Sequence, residues 1–387
     1  MTREDSFVMW LLRISGINNT KAEKLIEYFG TAENVFGAEK SELAGVDGLT
    51  AADVSAILSA RDMRLVERYV RELEEYSIEF ISLYSDGYPK SLKNIRNRPV
   101  GLYMRGMLPL GLDERYCVSV IGARKCTDYG VKAANKIASE LAAAKFIVVS
   151  GLARGIDGAA HEGALDMGGF TIAVLGNGLD YCYPAENTGL MERIIQTGCV
   201  LSEYPPKTRP SRMNFPARNR IVSGLSQSLV IAEASEHSGT SITASLAYEQ
   251  GKTVFAVPGS IFSGYSTGTN RMIKEGANLI TGGEDIVTEL KLGHLAKTKK
   301  IPKSVNAPIN KTEPSYDIDF SGLHTSDDET LVLGAVNSGA RTAEEIIERL
   351  SESGKNLSAA RVQACLTSLE LYGCVARVSG SGYKTSH

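Results

Sequence analysis

The chain has 387 residues but only one Trp, and aromatic residues make up 7% of it. Its five His form no HxxxH or HxxE pair at helical spacing, so no metal centre is expected. Six Cys (Cys117, Cys126, Cys182, Cys199, Cys365 and Cys374) include no CxxC pair and read as small buried thiols in a reducing compartment. No run of 18 apolar residues occurs, which argues against a membrane-spanning helix. The opening MTREDSFVMWLLRIS places acids and an Arg around a short apolar stretch, unlike a signal peptide. A formal charge of −3 and a pI near 6.1 exclude a bulk polycation. Catalytic signatures are also scarce: no GxGxxG and no GxxxxGK[ST] phosphate loop occurs. A cytoplasmic soluble protein is expected, without a cofactor.

What the chain has in excess is glycine, 38 residues, about a tenth of the whole against an ordinary ~7%. Its length predicts two or three domains. Residues 1–75 predict helices after the turns at Ser15–Gly16 and Gly45–Gly48, a small domain of the SAM or helix-hairpin-helix kind. Helix-hairpin-helix units offer hairpin amides to phosphate, but this segment holds nine bases against fourteen acids, which favours a helical adaptor. Residues 76–292 alternate helical stretches with apolar runs at 117–121, 146–149, 171–175, 199–201, 228–231 and 253–257. Continuous apolar strands between helices predict an α/β domain of Rossmann-like type, its parallel sheet covered on both faces. Residues 293–325 lack periodicity and read as a linker, and residues 326–387 predict three helices and a two-stranded wing. Thr342 and Glu345 form a capping box, and Gly373 marks the end of the third helix. That helix offers little cationic beyond Arg361, so this winged-helix-like end is expected to meet protein more than a DNA groove.

Nearly every strand of the α/β domain runs into a glycine loop: Gly122-Ala123-Arg124-Lys125, Gly151 to Gly155, Gly176-Asn177-Gly178, and Ser238-Gly239-Thr240-Ser241. Such loops let backbone approach a ligand, and the helix starts behind them attract anions. A mononucleotide needs one or two; a polyanion lying across the edge would use them all. Residues 205–225 add Lys207, Arg209, Arg212, Arg218 and Arg220 with no acid, and Phe215 and Asn219 stand among them. Interleaved cations and an aromatic suit single-stranded nucleic acid, with guanidinium on phosphate and ring on exposed base. The alternative is a solvated loop whose Arg residues pair with helix carboxylates. Asp157 and His161 lack a nucleophile beside them, and a helix cap and a structural hydrogen bond are the expected roles.

These residues carry a resemblance. IGARKCTDYG (121–130), SGLARGIDGAAH (150–161), AVLGNGLDYCYPAEN (173–187), SEYPP (202–206), NFPARNRIVSGLS (214–226), EASEHSGTSITASLAYEQGKTVFAVPG (233–259) and STGTNRMIKEGANLI (266–280) resemble, in order, the bacterial DNA-processing protein A family (DprA, also called Smf). The resemblance implies a non-catalytic homodimer that binds single-stranded DNA and loads the RecA recombinase on it during natural transformation. By motif it implies a phosphate contact from Arg124, a cation at Arg212 where the family often has Lys, a base contact from Phe215, and phosphate contacts from Gly239 and Thr240 at a helix start. Gly122, Lys125, Arg154, Arg218, Asn219, Arg220 and Ser238 are expected in the same single-stranded DNA site. Ile273 and Leu279 are the implied dimer contacts. An enzyme alternative, a nucleotide phosphoribohydrolase of the lysine-decarboxylase-like type, would place a carboxylate two or three residues after Thr240, where Ile242 and Thr243 stand.

Overall fold

The computed structural model describes residues 1–236, 239–289, 327–355, 357–371, 375–378 and 382–385. His237 and Ser238, the linker 293–325, Gly373 and the wing turn lie outside them. The chain divides into two compact units, Met1–Ile301 and Pro302–His387.

The first unit is built on a nine-stranded sheet. Its strands are β1 (Glu79–Ser82), β2 (Gly101–Gly106), β3 (Cys117–Ile121), β4 (Ile147–Ser150), β5 (Thr171–Leu175), β6 (Cys199–Ser202), β7 (Ser228–Ile231), β8 (Thr253–Ala256) and β9 (Asn278–Leu279). Their order is β1-β2-β6-β5-β4-β3-β7-β8-β9. All neighbours from β6 to β9 run parallel, whereas β1 and β2 add antiparallel strands at one edge, which the apolar runs did not foretell. The six predicted strands each fall within a residue or so of the apolar run that signalled them. They are readable because residues on both faces are buried, leaving no polar alternation.

Alternate residues divide between two cores. On one face Ile121, Val149, Ile172, Val174, Leu201, Leu229 and Ala256 form a continuous layer. On the other face Val118, Val148, Val230 and Phe255 pack against the helices Asp128–Ala143 and Ile156–Asp166. The remainder of that face, including Ala173, Leu175 and Val200, belongs to a cluster containing Phe7, Trp10, Leu25, Phe80 and Tyr103. The last of the N-terminal helices, Met63–Glu75, ends at Glu75, and the core of these helices runs on into the sheet. Trp10 is fully buried and its Nε1 donates to the Ala60 carbonyl at 2.8 Å.

Chain order makes the sheet reverse direction once. From β3 the chain steps outward through β4, β5 and β6, then returns to lay β7 on the other side of β3. At such a reversal the loops leaving two adjacent strands diverge onto opposite faces and open a crevice at the strands' carboxyl ends.

The second unit holds helices Asp327–Asn337, Ala343–Glu352 and Ala359–Leu371, followed by β10 (Val375–Val378) and β11 (Gly382–Thr385) paired antiparallel. Val332, Ile346, Leu350, Val362, Leu366, Val375 and Tyr383 make its core. The Thr342–Glu345 capping box is present, and Arg361 pairs with Asp328 at 2.7 Å.

Candidate nucleic-acid interface

A cavity of about 790 Å³ occupies the crevice at the strand reversal. Loops after β3 (Gly122 to Lys125), β4 (Gly151, Ala153) and β7 (Ser235, Gly239, Thr240) line it, with residues 212–222 forming another wall. Four cations (Arg124, Lys125, Arg212 and Arg218) and a single carboxylate, Asp157, are among the lining residues.

Three helices begin around this cavity, and none has a capping side chain. They are Ile156–Asp166, Asn214–Gly224 and Thr240–Glu249. Elsewhere in the same unit Thr2, Asn18, Thr31, Thr50, Asp62 and Thr127 cap helices with their side chains, while Thr188–Thr197 and Thr267–Lys274 also start without one. Helix starts carry partial positive charge, so their convergence suits an anion, although the Ile156 and Gly158 amides are already spent on the Ala123 and Ala153 carbonyls. Asp157 is not the cap that was expected: Gly155 holds that position, and the Asp157 carboxylate accepts from the Gly151 amide at 3.2 Å.

The glycines have a different use from the one the sequence suggested. Gly155 sits at φ +75°, a left-handed conformation that side chains resist. A Cβ on Gly151 would lie 2.4 Å from the Arg218 guanidinium. These glycines therefore let the loops close on one another and on Arg218, and the ligand benefits indirectly.

Arg218 and Arg220, two of the expected single-stranded DNA contacts, are buried by the structure. Arg218 is buried, and its Nη1 donates to the carbonyls of Gly151, at 2.6 Å, and of Val174. Burial pulls this guanidinium down to about 10, with the Asp157 charge opposing. Asp157 itself is pushed up by burial, against the attraction of Arg218. Arg218 thus forms the pocket floor and binds two strand ends together. Arg220 is also buried; it donates to Asn97 O at 2.7 Å and pairs with Glu203 at 2.5 Å. It does not line the cavity. On a helix, five residues turn the chain roughly 140° past a full circle, which separates Arg220 from Phe215, whereas Arg218, Asn219 and Val222 share the Phe215 stripe. Arg154 stands outside the cavity too and is paired with Glu186 at 2.5 Å. Lys207 pairs with Glu72 at 2.8 Å. Pairing with carboxylates, the alternative weighed for the basic segment, holds for Lys207 and Arg220.

Gly122, Arg124, Lys125, Arg212, Phe215, Asn219, Gly239 and Thr240 do come together on the cavity wall. Arg124, Lys125 and Arg212 are exposed. The Arg124 guanidinium lies 4.7 Å from the centre of the half-buried Phe215 ring, and Tyr183 stacks on that ring at 5.8 Å. Tyr183, 45% exposed, and Tyr265, 44% exposed, also line the cavity. Sequence reasoning missed both, because they come from loops that no periodicity brings near Phe215. Asn214 fixes the start of that wall by donating to Gly176 O at 3.0 Å.

His161 is wholly buried behind the pocket. Thr171 Oγ1 donates to Val148 O, so it accepts from His161 Nδ1 at 2.7 Å, which leaves Nε2 as the unprotonated nitrogen. Burial, reinforced by the Arg218 charge, depresses the imidazole to about 3. The structural hydrogen bond expected for His161 is present. Ile242 and Thr243 line the cavity at the positions where a phosphoribohydrolase would carry its carboxylate, and Glu249 is not among the lining residues. Among the described residues no group of three or more His, Cys, Asp or Glu is placed to hold a metal, and no helix is long and apolar enough to cross a membrane.

These features define a Rossmann-like domain with an anion-attracting, aromatic-walled crevice at its strand reversal. Residues 79–291 match the family model described as DNA recombination-mediator protein A, and residues 320–381 match the DprA winged helix domain. The chain is 38% identical over 284 residues to DNA processing protein DprA of Streptococcus pneumoniae, covering 73% of this chain and 98% of that one. It is 40% identical over 223 residues to the Bacillus subtilis DprA, 58% of this chain and 75% of the relative. The crystal structure of the S. pneumoniae protein superposes with a TM-score of 0.64 at 37% identity, over 73% of this chain and 97% of that one. DNA processing protein A of Helicobacter pylori, whose structural study concerns its single-stranded DNA binding mode, gives a TM-score of 0.51 at 32% identity, over 56% and 98%. The chain belongs to the DNA recombination-mediator protein A family.

Two outcomes follow from the buried groups. Arg218→Met leaves two carbonyls and Asp157 without their buried cation and is expected to cost about 3–5 kcal/mol in urea unfolding, whereas Arg124→Ala, on the surface, unfolds near wild type. His161 has a folded pKa (about 3) below its unfolded value of 6.5, so its contribution is complete above pH 6.5 and is lost as pH falls toward 3. The loss at pH 5 is about 2 kcal/mol, and His161→Gln is expected to remove this part of the pH dependence in urea titrations.

Proposed function

We propose that this protein binds single-stranded DNA in the crevice and passes it to the RecA recombinase during natural transformation, acting in the cytoplasm without a catalytic step of its own. The observation that carries this reading is the cation–aromatic stack of Arg124, Phe215 and Tyr183 beside three uncapped helix starts. Phosphates meet Arg124, Lys125, Arg212 and the amides around Gly122, Gly239 and Thr240. Unpaired bases meet the rings, and Asn219 supplies an amide side chain. A duplex keeps its bases stacked on each other and leaves those rings idle. Apart from the Asn219 amide, none of these contacts is suited to a base edge, so binding has no strong sequence preference. Passing the strand to RecA accords with the family's description as a recombination mediator.

The test is fluorescence anisotropy of labelled oligothymidylate and of a matched duplex across a salt series. Preference for the single strand is expected, with affinity falling by ~0.7 log unit per phosphate contact for each log unit of salt. Arg124→Ala and Arg212→Ala weaken binding to every sequence, and Tyr183→Ala or Phe215→Ala costs ~1–3 kcal/mol. A folded protein that ignores the single strand at low salt defeats the reading; hydrolysis of nucleoside monophosphates is then the activity to assay.

A homodimer through the β9 edge is part of the same proposal. Leu279 is 53% exposed on the last strand of the sheet, and Ile273 is half-buried on the preceding helix, Thr267–Lys274. Leu279→Lys is expected to shift the protein from dimer to monomer in sedimentation equilibrium; an unchanged dimer places the interface elsewhere.

A further inference from the structure

The connection from β8 to the helix Thr267–Lys274 carries the most exposed aromatic ring among the described residues. Phe262 is 94% exposed and its neighbour Ile261 81%. The loop is nevertheless held in shape. Gly259 and Asn270 exchange two hydrogen bonds, at 3.1 and 3.0 Å; the Phe262 amide donates to Ser260 Oγ at 3.2 Å, and the amides of Ser263 and Ser266 close successive turns onto Ser260 O and Ser263 O at 3.0 Å. Tyr265, three residues after Phe262, lines the cavity already described. The run from Pro258 to Ser266 contains no charged residue.

We propose that Phe262, with Ile261 beside it, is a second base-stacking position, over which the single strand runs as it leaves the pocket past Tyr265. The proposal rests on the pocket binding single-stranded DNA. Three features favour a base as the occupant. The tip and the pocket wall belong to one short loop, with Tyr265 on the wall three residues after Phe262, so a strand leaving the pocket past Tyr265 has the tip within reach. Two apolar side chains match the face of one or two bases, but fall far short of the roughly 800 Å² that each partner brings to a stable protein interface. The absence of charge leaves nothing to select one base over another, in keeping with a pocket whose contacts are backbone amides, cations and ring faces.

The experiment compares the full-length chain on oligothymidylates of about four and about twenty nucleotides, at the bottom of and above the roughly 4–16 nucleotides that one single-strand binding fold covers. The quantity read is the gain in affinity from the short to the long oligonucleotide. Phe262→Ala is expected to shrink that gain by about tenfold, and Phe262→Trp to preserve it. Leu110→Ala serves as control: Leu110 is equally exposed, at 94%, but follows β2, whose end lies beside the start of β6 on the opposite edge of the sheet. A 2-aminopurine moved along the longer oligonucleotide is expected to lose its Phe262-dependent quenching in Phe262→Ala at positions beyond those affected by Phe215→Ala.

An unaltered gain in Phe262→Ala overturns the proposal. So does an equal loss on both lengths, which would make Phe262 part of the pocket. A changed sedimentation coefficient with unaltered DNA binding overturns it in favour of contact between copies of the chain. If the wild-type chain binds neither length, the reading of the pocket fails, and this position fails with it.

Discussion

The candidate site depends on one buried guanidinium. The strands β4 and β5 end side by side, and carbonyls at their ends would point into a water-poor space beneath the pocket. Arg218 donates to Gly151 O, just past β4, and to Val174 O, near the end of β5, and sets its charge against Asp157. A buried cation is tolerated only where its donors are engaged and a countercharge is near. Nη1 meets that condition and Nε does not, yet the two Nη1 bonds are enough to hold the helix carrying Arg218 against the strand ends. Phe215, one turn earlier, is therefore fixed against Tyr183, and Asn219 and Val222 line the same wall. Ser119 on β3 secures the far end of the helix, its hydroxyl donating to Val222 O at 2.8 Å.

The fold was largely legible. Strands buried on both faces have no choice but to be apolar throughout, and the six runs stood out against the helices between them. Glu79–Ser82 is short and alternates exposed with buried residues, Gly101–Gly106 opens and closes on glycine, and their antiparallel pairing gives no sign in the chain until β6 is known to lie next to them. The N-terminal helices were recognisable, yet nothing in their periodicity tells whether the apolar face meets another helix or a sheet. Here it meets both, because Phe7 and Trp10 share a core with Tyr103 and Val200.

The site was legible as a set of residues more than as a division of labour. Arg218 and Arg220 look alike in the run Arg218-Asn219-Arg220, but helical rotation sends one to the pocket floor and the other toward Glu203 and the Asn97 carbonyl. The glycine loops pointed to the right edge of the sheet for a reason only half correct: their missing side chains make room for protein atoms. Tyr183 could not be found by spacing, since its place depends on the loop after β5 folding back over a helix more than thirty residues downstream.

The basic segment is moored at both ends to the N-terminal helices. Lys207 is tied to Glu72, itself held by Arg13 at 2.6 Å, and Arg220 is tied to Glu203, which also accepts from Asn19 at 2.7 Å. Between these anchors Arg212 and Phe215 sit on a span with fixed abutments. A long cationic loop free at one end would have to be ordered anew for every ligand, and that ordering opposes binding. Here most of it is completed when the chain folds, so the helical segment furthest from the pocket in sequence governs how stiffly the pocket meets a flexible polymer.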